Sequence, residues 1–273
     1  MQDFRGKTAV ITGGATGIGF ALAKQFGAEG ANIVIGEPRQ DRLNEAVSAL
    51  RLAGYEASAM AMDVTDPQSM EAFAAFAWEA YGAVHVLVNN AGIGLGPRSM
   101  VKQPLEDMRR IFDVNVFGVW HGSAVFGRRM IDQGEPAAIY NLGSENSFFN
   151  AVPKTAAYIA SKHAVRGLTE AMRDEFPDFI TIGLICPGFV KSELTPPPFG
   201  DLAMETDLFA AKTMEQIKAG AFYIVSHAYN VERFRPVHDE IEQAYAKYAP
   251  RYEGDEEYDV RTLLARVFGD RIV

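Results

Sequence analysis

The sequence has few of the residues that cross-link chains or bind metals. Of its 273 residues one is cysteine, Cys186, and five are histidine. A lone cysteine excludes an internal disulfide and suits a reducing compartment. The histidines and Cys186 form no ligand cluster, so no metal is expected. Positive charge is also short: 26 Lys and Arg stand against 35 Asp and Glu, a net charge of −9. Such a surface repels nucleic acid and anionic membranes, and neither is an expected partner. No uncharged apolar run is long enough to span a bilayer. The start carries Asp3, Arg5 and Lys7 and lacks the layout of a signal peptide. The expected location is cytoplasmic.

What the chain does have is a regular alternation of short apolar runs and helical patterns. Strands are expected at Thr8–Thr12, Asn32–Gly36, Ala57–Met62, Val84–Val88, Ala138–Leu142, Ile180–Cys186 and Phe222–Val225. Several have no polar face, as in a parallel sheet covered on both sides. Helices are expected between them at Ile18–Ala28, Asp41–Ala53, Pro67–Tyr81, Leu105–Ile131 and Thr155–Glu175. This order predicts an α/β fold, a Rossmann-type, doubly wound, parallel, seven-stranded sheet in a single domain over 1–250. Two short helices, Leu202–Ala211 and Lys212–Gly220, follow Pro196, Pro197 and Pro198. Residues 189–220 read as a substrate lid. Val231–Tyr248 reads as a helix, and 251–273 as an acidic linker with a short helix at Arg261–Phe268, a helical extension.

Gly13, Gly17 and Gly19 follow the first strand and open the first helix. A pyrophosphate must approach backbone closely there, and a Cβ would block it. Glu37, at the end of the second strand, could accept both hydroxyls of a ribose and repel a 2′-phosphate. Arg39 could pair with that phosphate instead, so NAD is expected and NADP stays open. Asp63-Val64 and Asn89-Asn90-Ala91-Gly92 lie at the same sheet edge, where ligand contact and ordinary turn chemistry are both open.

Tyr158 and Lys162 are four apart in a helical pattern and so share a face. A nearby ammonium favours a phenolate and lowers the phenol's pKa. Ser144 follows the fifth strand and could donate to a substrate oxygen; Ser147 competes for that role. Asn115 is polar in an apolar helix, either a satisfied core residue or a functional one.

Together, Thr12–Gly19, Asn89–Gly92, Asn115, Ser144, Tyr158, Lys162 and Pro187-Gly188 resemble the short-chain dehydrogenase/reductase family, in its short single-domain branch. The resemblance covers about residues 5–192. It implies Tyr158 as general acid/base, Lys162 on the nicotinamide ribose and depressing the Tyr158 pKa, Ser144 orienting the substrate oxygen, and Asn115 holding a relay water. It implies Asp63 and Val64 at adenine, Asn90 at the cofactor ribose region and Ser192 near the carboxamide. The cofactor set is completed by Thr16, Ile18, Ala91, Gly92, Pro187, Gly188 and Val190. Glu145-Asn146 after Ser144, and His85 where Asp is common, depart from the pattern. The tail is loosely similar to bacterial enzymes acting on lignin-derived aromatic alcohols.

The expected activity is hydride transfer between a nicotinamide cofactor and an apolar, aromatic secondary alcohol or ketone. The substrate loops offer Leu95, Glu145, Asn146, Phe149, Phe189, Phe199 and Met204, with Phe148 and Phe209 nearby. Sugar, polyol or hydroxysteroid substrates are alternatives, as is a catalytically silent nucleotide sensor. A homotetramer or homodimer is expected through Leu105–Ile131 and Thr155–Glu175, where Phe112, Val116, Trp120, Val165 and Leu168 make more than one face apolar.

Overall fold

The computed structural model describes residues 2–193, 195 and 199–268, apart from the side chains of Phe199 and Phe268. Among the described residues the strands are β1 (Thr8–Thr12), β2 (Asn32–Glu37), β3 (Ala57–Ala61), β4 (Val86–Asn89), β5 (Ala137–Leu142), β6 (Ile180–Cys186) and β7 (Tyr223–Val225). They form one parallel sheet in the order β3-β2-β1-β4-β5-β6-β7. The order reverses between β1 and β4, and that switch point opens a ligand crevice at the carboxyl ends of the strands.

The apolar runs are continuous because both faces are covered. Ile11, Ile33, Ile35, Val86 and Val88 belong to one core. Their neighbours Val10, Val34 and Leu87 point through the sheet into a second. Leu22 and Phe26 of α1 (Gly17–Ala28) and Leu43 and Leu50 of α2 (Gln40–Leu52) fill the first core. Phe73 of α3 (Pro67–Tyr81) fills the second.

The expected helix Leu105–Ile131 is interrupted. α4 (Leu105–Phe112) passes through a π-turn, Asp113–Phe117, into α5 (Gly118–Gln133). The turn re-aims Asn115, as π-bulges do at functional sites. α6 (Ala156–Glu175) precedes β6.

The two short helices expected after the prolines are one, α7 (Thr206–Lys218). Its Phe209, Met214 and Ile217 are buried in the first core. Burying each such side chain contributes roughly 1.5–3 kcal/mol, a large part of a domain's whole stability. Residues 206–218 are therefore core and not lid. The preceding segment is pinned at its base, Lys191 N donating to Met204 O at 2.9 Å and Met204 N to Phe189 O at 2.9 Å. Pro196, Pro197 and Pro198 lie outside the described residues.

His85 stands at the start of β4. Its Nδ1 accepts from Thr8 N at 3.1 Å, so its Nε2–H is the donor to Glu135 Oε2, also at 3.1 Å. It pins the sheet's amino edge, away from any ligand.

The chain divides into two compact units, Met1–Ala228 and Tyr229–Val273. The sheet unit thus ends before 250. The second unit holds α8 (Asn230–Tyr248), of whose described residues none is buried, and α9 (Val260–Phe268).

Candidate active site

A cradle for a dinucleotide begins where β1 ends. Gly13 has φ +61°, and a Cβ there would lie 3.0 Å from Ala91 Cα. A Cβ on Gly19 would come within 2.4 Å of Asn90 Nδ2. Both positions require glycine, and they bring bare backbone to the start of α1. Thr16 places no side-chain cap on that helix end. The free N–H groups and the helix dipole there favour a phosphate.

Asn90 and Ala91 brace this turn. Asn90 Nδ2 donates to Thr12 O and Gly13 O, each at 2.9 Å. Thr12 Oγ1 accepts from Asn90 N at 3.0 Å and Ala91 N at 3.1 Å. Thr12, the first residue of the glycine motif, is thus a brace of the turn, a role that its place at the end of an apolar strand allows. Asp63 caps its own turn, accepting from Thr65 N and Oγ1 at 2.9 Å each. Val64 is buried beside Gly118, where a Cβ would meet it at 2.8 Å.

Glu37 is 5% exposed. Arg39, the alternative partner for a 2′-phosphate, turns onto Glu37. Its guanidinium grips both carboxylate oxygens, Nε on Oε1 and Nη2 on Oε2, the latter at 3.2 Å.

The candidate catalytic side chains come from the turn after β5, the π-turn and α6. Beyond β5 a single turn of 3-10 helix, Glu145–Ser147, is held by a reciprocal cap. Asn146 N donates to Ser144 Oγ at 3.2 Å, and Ser144 N to Ser147 Oγ at 3.2 Å. Ser147 Oγ then donates to the Lys162 carbonyl at 2.8 Å. Ser147 is thus a strut between the Ser144 turn and α6, not a rival to Ser144. Pro187 fixes the turn from the other side, its carbonyl accepting from Glu145 N at 2.8 Å.

On α6, Tyr158, Ser161 and Lys162 share the inward face. Lys162 is 4% exposed. Its Nζ donates to Leu142 O at 2.7 Å and lies 5.7 Å from the centre of the Tyr158 ring. Burial pulls the ammonium down to about 8, partly opposed by Cys186. The Tyr158 phenol is pushed up by burial; its hydrogen bond with Ser144 pulls it down, and the Glu145 charge pushes it up. A Lys162-depressed phenol was expected. Burial instead sets the direction, and the Lys162 Nζ is turned to the Leu142 carbonyl.

Asn115 is 1% exposed. Its Oδ1 accepts from Ile93 N at 2.8 Å, and its Nδ2 donates to Ile93 O at 3.0 Å and Ser161 Oγ at 3.1 Å. Both amide protons are engaged, so Asn115 ties the loop after β4 to α6. Oδ1 keeps one lone pair that a water could use.

A family model for short chain dehydrogenase matches residues 7–200. The chain belongs to this short-chain dehydrogenase family. It is an oxidoreductase fold of enzymes acting on CH–OH groups. A 1-deoxy-11-beta-hydroxypentalenate dehydrogenase of Streptomyces exfoliatus is 31% identical, over 86% of this chain and 88% of the relative. The 3beta-hydroxysteroid dehydrogenase 1 of Eggerthella lenta is 35% identical, over 73% of this chain and 77% of the relative. Among solved structures, a short-chain dehydrogenase/reductase from Burkholderia phymatum in complex with NAD superposes with a TM-score of 0.83 at 32% identity, covering 89% of this chain and 96% of that one.

Within this short-chain dehydrogenase the expected substrate residues divide. Glu145, Asn146 and Phe149 are buried in the turn after β5, and Phe189 is 38% exposed beyond β6. Leu95 is half-buried in the loop after β4. Met204 is partly buried where it packs on the first core, and Phe209 lies within that core. Phe148 stacks edge-on with Tyr223, 5.8 Å between ring centres. The Phe199 side chain lies outside the described residues. Val190 is buried, and a Cβ on Gly188 would meet His227 at 2.6 Å. Ser192 packs over Gly17, where a Cβ would lie 3.7 Å away. An open hollow of about 410 Å³ is lined by Asn150 and Lys154 of the loop after β5 and by Ala156, Ile159, Ala160 and His163 of α6. Among the described residues no helix is long and apolar enough to cross a membrane.

Proposed function

We propose that the protein is an NAD-dependent alcohol dehydrogenase and carbonyl reductase for apolar, ring-bearing secondary alcohols, aromatic ones foremost. The observation that carries this is the meeting of Ser144, Tyr158 and Lys162 at the carboxyl edge of the sheet, beside a glycine turn that a Cβ would fill. That cradle fits a dinucleotide. Gly13, Gly17 and Gly19 would hold the pyrophosphate, Glu37 the adenosine ribose, Asp63 and Val64 the adenine, and Lys162 the nicotinamide ribose. Bound there, the nicotinamide supplies or accepts the hydride.

The rest is the work of the chain. The Ser144 hydroxyl donates to the substrate oxygen and stabilises the charge that grows on it. The Tyr158 hydroxyl gives its proton to that oxygen in reduction and takes one back in oxidation. A buried phenol holds its proton at neutral pH, which suits reduction; oxidation gains as pH rises. Lys162 at about 8 keeps its charge at pH 7 and stabilises the phenolate. Asn115 positions α6 through Ser161.

Leu95, Phe149 and Phe189 give the substrate loops an apolar lining with few polar groups, Glu145 and Asn146 among them. The named hydroxypentalenate and hydroxysteroid relatives favour a second reading, an alicyclic polycyclic alcohol. The test is kcat/KM over aryl-alkyl alcohols, alicyclic alcohols and polyols. Apolar substrates should lead by at least roughly tenfold; a leading polyol would overturn the reading.

We also propose a homodimer or homotetramer in a reducing, cytoplasmic setting. Phe117 at 52% and Trp120 at 58% exposure offer an apolar outer face around the start of α5. Val165, expected to help, is fully buried in its own subunit.

A further inference from the structure

The segment beyond β6 returns across the cofactor side of the sheet. Ser192 covers Gly17 of the phosphate turn. The next residue, Glu193, reaches the end of β2, where its Oε2 accepts from both Nη1 and Nη2 of Arg39, each at 3.2 Å. Arg39 is therefore held between two carboxylates, Glu37 on one side and Glu193 on the other. Arg42 Nη2 lies 3.7 Å from Glu193 Oε1 and its Nη1 3.8 Å from Glu45. Three carboxylates thus surround two guanidinium groups.

This arrangement bears on which cofactor fits. A 2′-phosphate, carrying about −1.5 to −2 charge, needs a free cation beside the adenosine ribose. Arg39 is the cation at that point, and to turn outward it must leave both Glu37 and Glu193. A ribose diol needs the opposite: a carboxylate held in place with a lone pair free. Arg39 holds Glu37 so, its backbone N and Nε on Oε1 and its Nη2 on Oε2, which leaves Oε2 one acceptor site for a ribose hydroxyl.

We infer that Glu193 is a positioning residue for cofactor choice, holding Arg39 on Glu37 so that the ribose diol of NAD is accepted and the 2′-phosphate of NADP is refused. The inference rests on the NAD reading above. Its signal lies in the fold alone, because Glu193 and Arg39 are 154 residues apart in sequence.

The test is calorimetric titration of NAD and NADP, without substrate, into the wild-type protein, Glu193→Gln, Glu193→Lys, Arg39→Ala and the Arg39→Ala/Glu193→Gln double variant. Glu193 is about half exposed, so its variants should fold, and their thermal midpoints check this. The ratio of the two dissociation constants is the readout, because general damage to the site would move both alike. Wild type should favour NAD. Glu193→Gln should shrink the ratio roughly two- to fivefold, the size of one partly exposed charge pair, mainly through tighter NADP. Glu193→Lys should shrink it further. In the Arg39→Ala background Glu193→Gln should change the ratio little. An unchanged ratio in both single Glu193 variants, or a full effect without Arg39, would overturn the inference and leave the NAD reading standing. A wild-type protein that binds NADP more tightly would overturn both.

Discussion

At Lys162 function and stability oppose each other. The side chain is 4% exposed, and burial lowers its pKa from 10.5 to about 8. The folded state thus binds this proton less well than the unfolded chain does. Below about pH 8 the buried charge is a liability, and the liability fades as pH rises from 8 toward 10.5. Lys162→Met should therefore stabilise the cofactor-free protein at pH 7, by on the order of 1–3 kcal/mol. The same change should cut turnover at least about a hundredfold. Calorimetric melting and steady-state kinetics measure the two effects; a lower Tm would contradict the burial argument. A milder case is Tyr140, a fully buried residue of β5 whose hydroxyl has no hydrogen-bond partner among the described residues. Tyr140→Phe should be neutral or stabilising, by up to about 1 kcal/mol in denaturant melts. Much at this scale was legible in the sequence. Tyr158 and Lys162 share a helix face by their spacing, but that spacing is common by chance; it is their company, Ser144 after an apolar strand, Asn115 and the glycine turn, that singles them out. The roles of Ser147, Thr12 and Glu193 are not legible in this way, because each acts by touching a residue that only the fold brings near.

Among the elements, β4 carries the clearest pH dependence. His85 is held neutral by burial, with Lys7 pushing its pKa the same way against Glu135. Its folded pKa lies below the unfolded 6.5, so the unfolded chain takes up the proton more readily. The stability that His85 contributes is complete above pH 6.5 and declines as pH falls below it. Protonation would also fill the Nδ1 lone pair that accepts from Thr8 N. Urea midpoints measured from pH 7 to pH 5 should fall for the wild type, and fall less for His85→Gln. Equal slopes would mean that His85 does not titrate on unfolding. The strands were readable almost to the residue, since runs such as Val-Ile-Thr and Leu-Val-Asn end at polar turns. The break in the α4–α5 helix was not. A π-turn follows from the tertiary bonds of Asn115 to Ile93 and Ser161, and periodicity carries no trace of them. α7 was read as two helices within a lid because its pattern shows amphipathicity but not what covers it. The cover is α1, through Phe209 and Met214 in the first core.

For the whole molecule, sheet order and catalytic edge follow from the alternation of strands and helices, but the outer faces do not. Apolar side chains in the helices were expected at subunit contacts without distinction. The fold sends Val165 inward and leaves Trp120 and Phe117 outside. If that face joins subunits, Trp120→Glu should shift the wild-type dimer or tetramer toward smaller species in light scattering at micromolar concentration. A wild-type monomer would refute the proposed assembly while leaving the chemistry intact. That chemistry is tested most directly by a single-turnover comparison of the wild type with Tyr158→Phe, following reduced nicotinamide absorbance with an apolar secondary ketone, together with the NADH dissociation constant of each. The account predicts a fall in the hydride-transfer rate of roughly 10²- to 10⁴-fold with NADH binding nearly unchanged. A variant that turns over at close to the wild-type rate would contradict it.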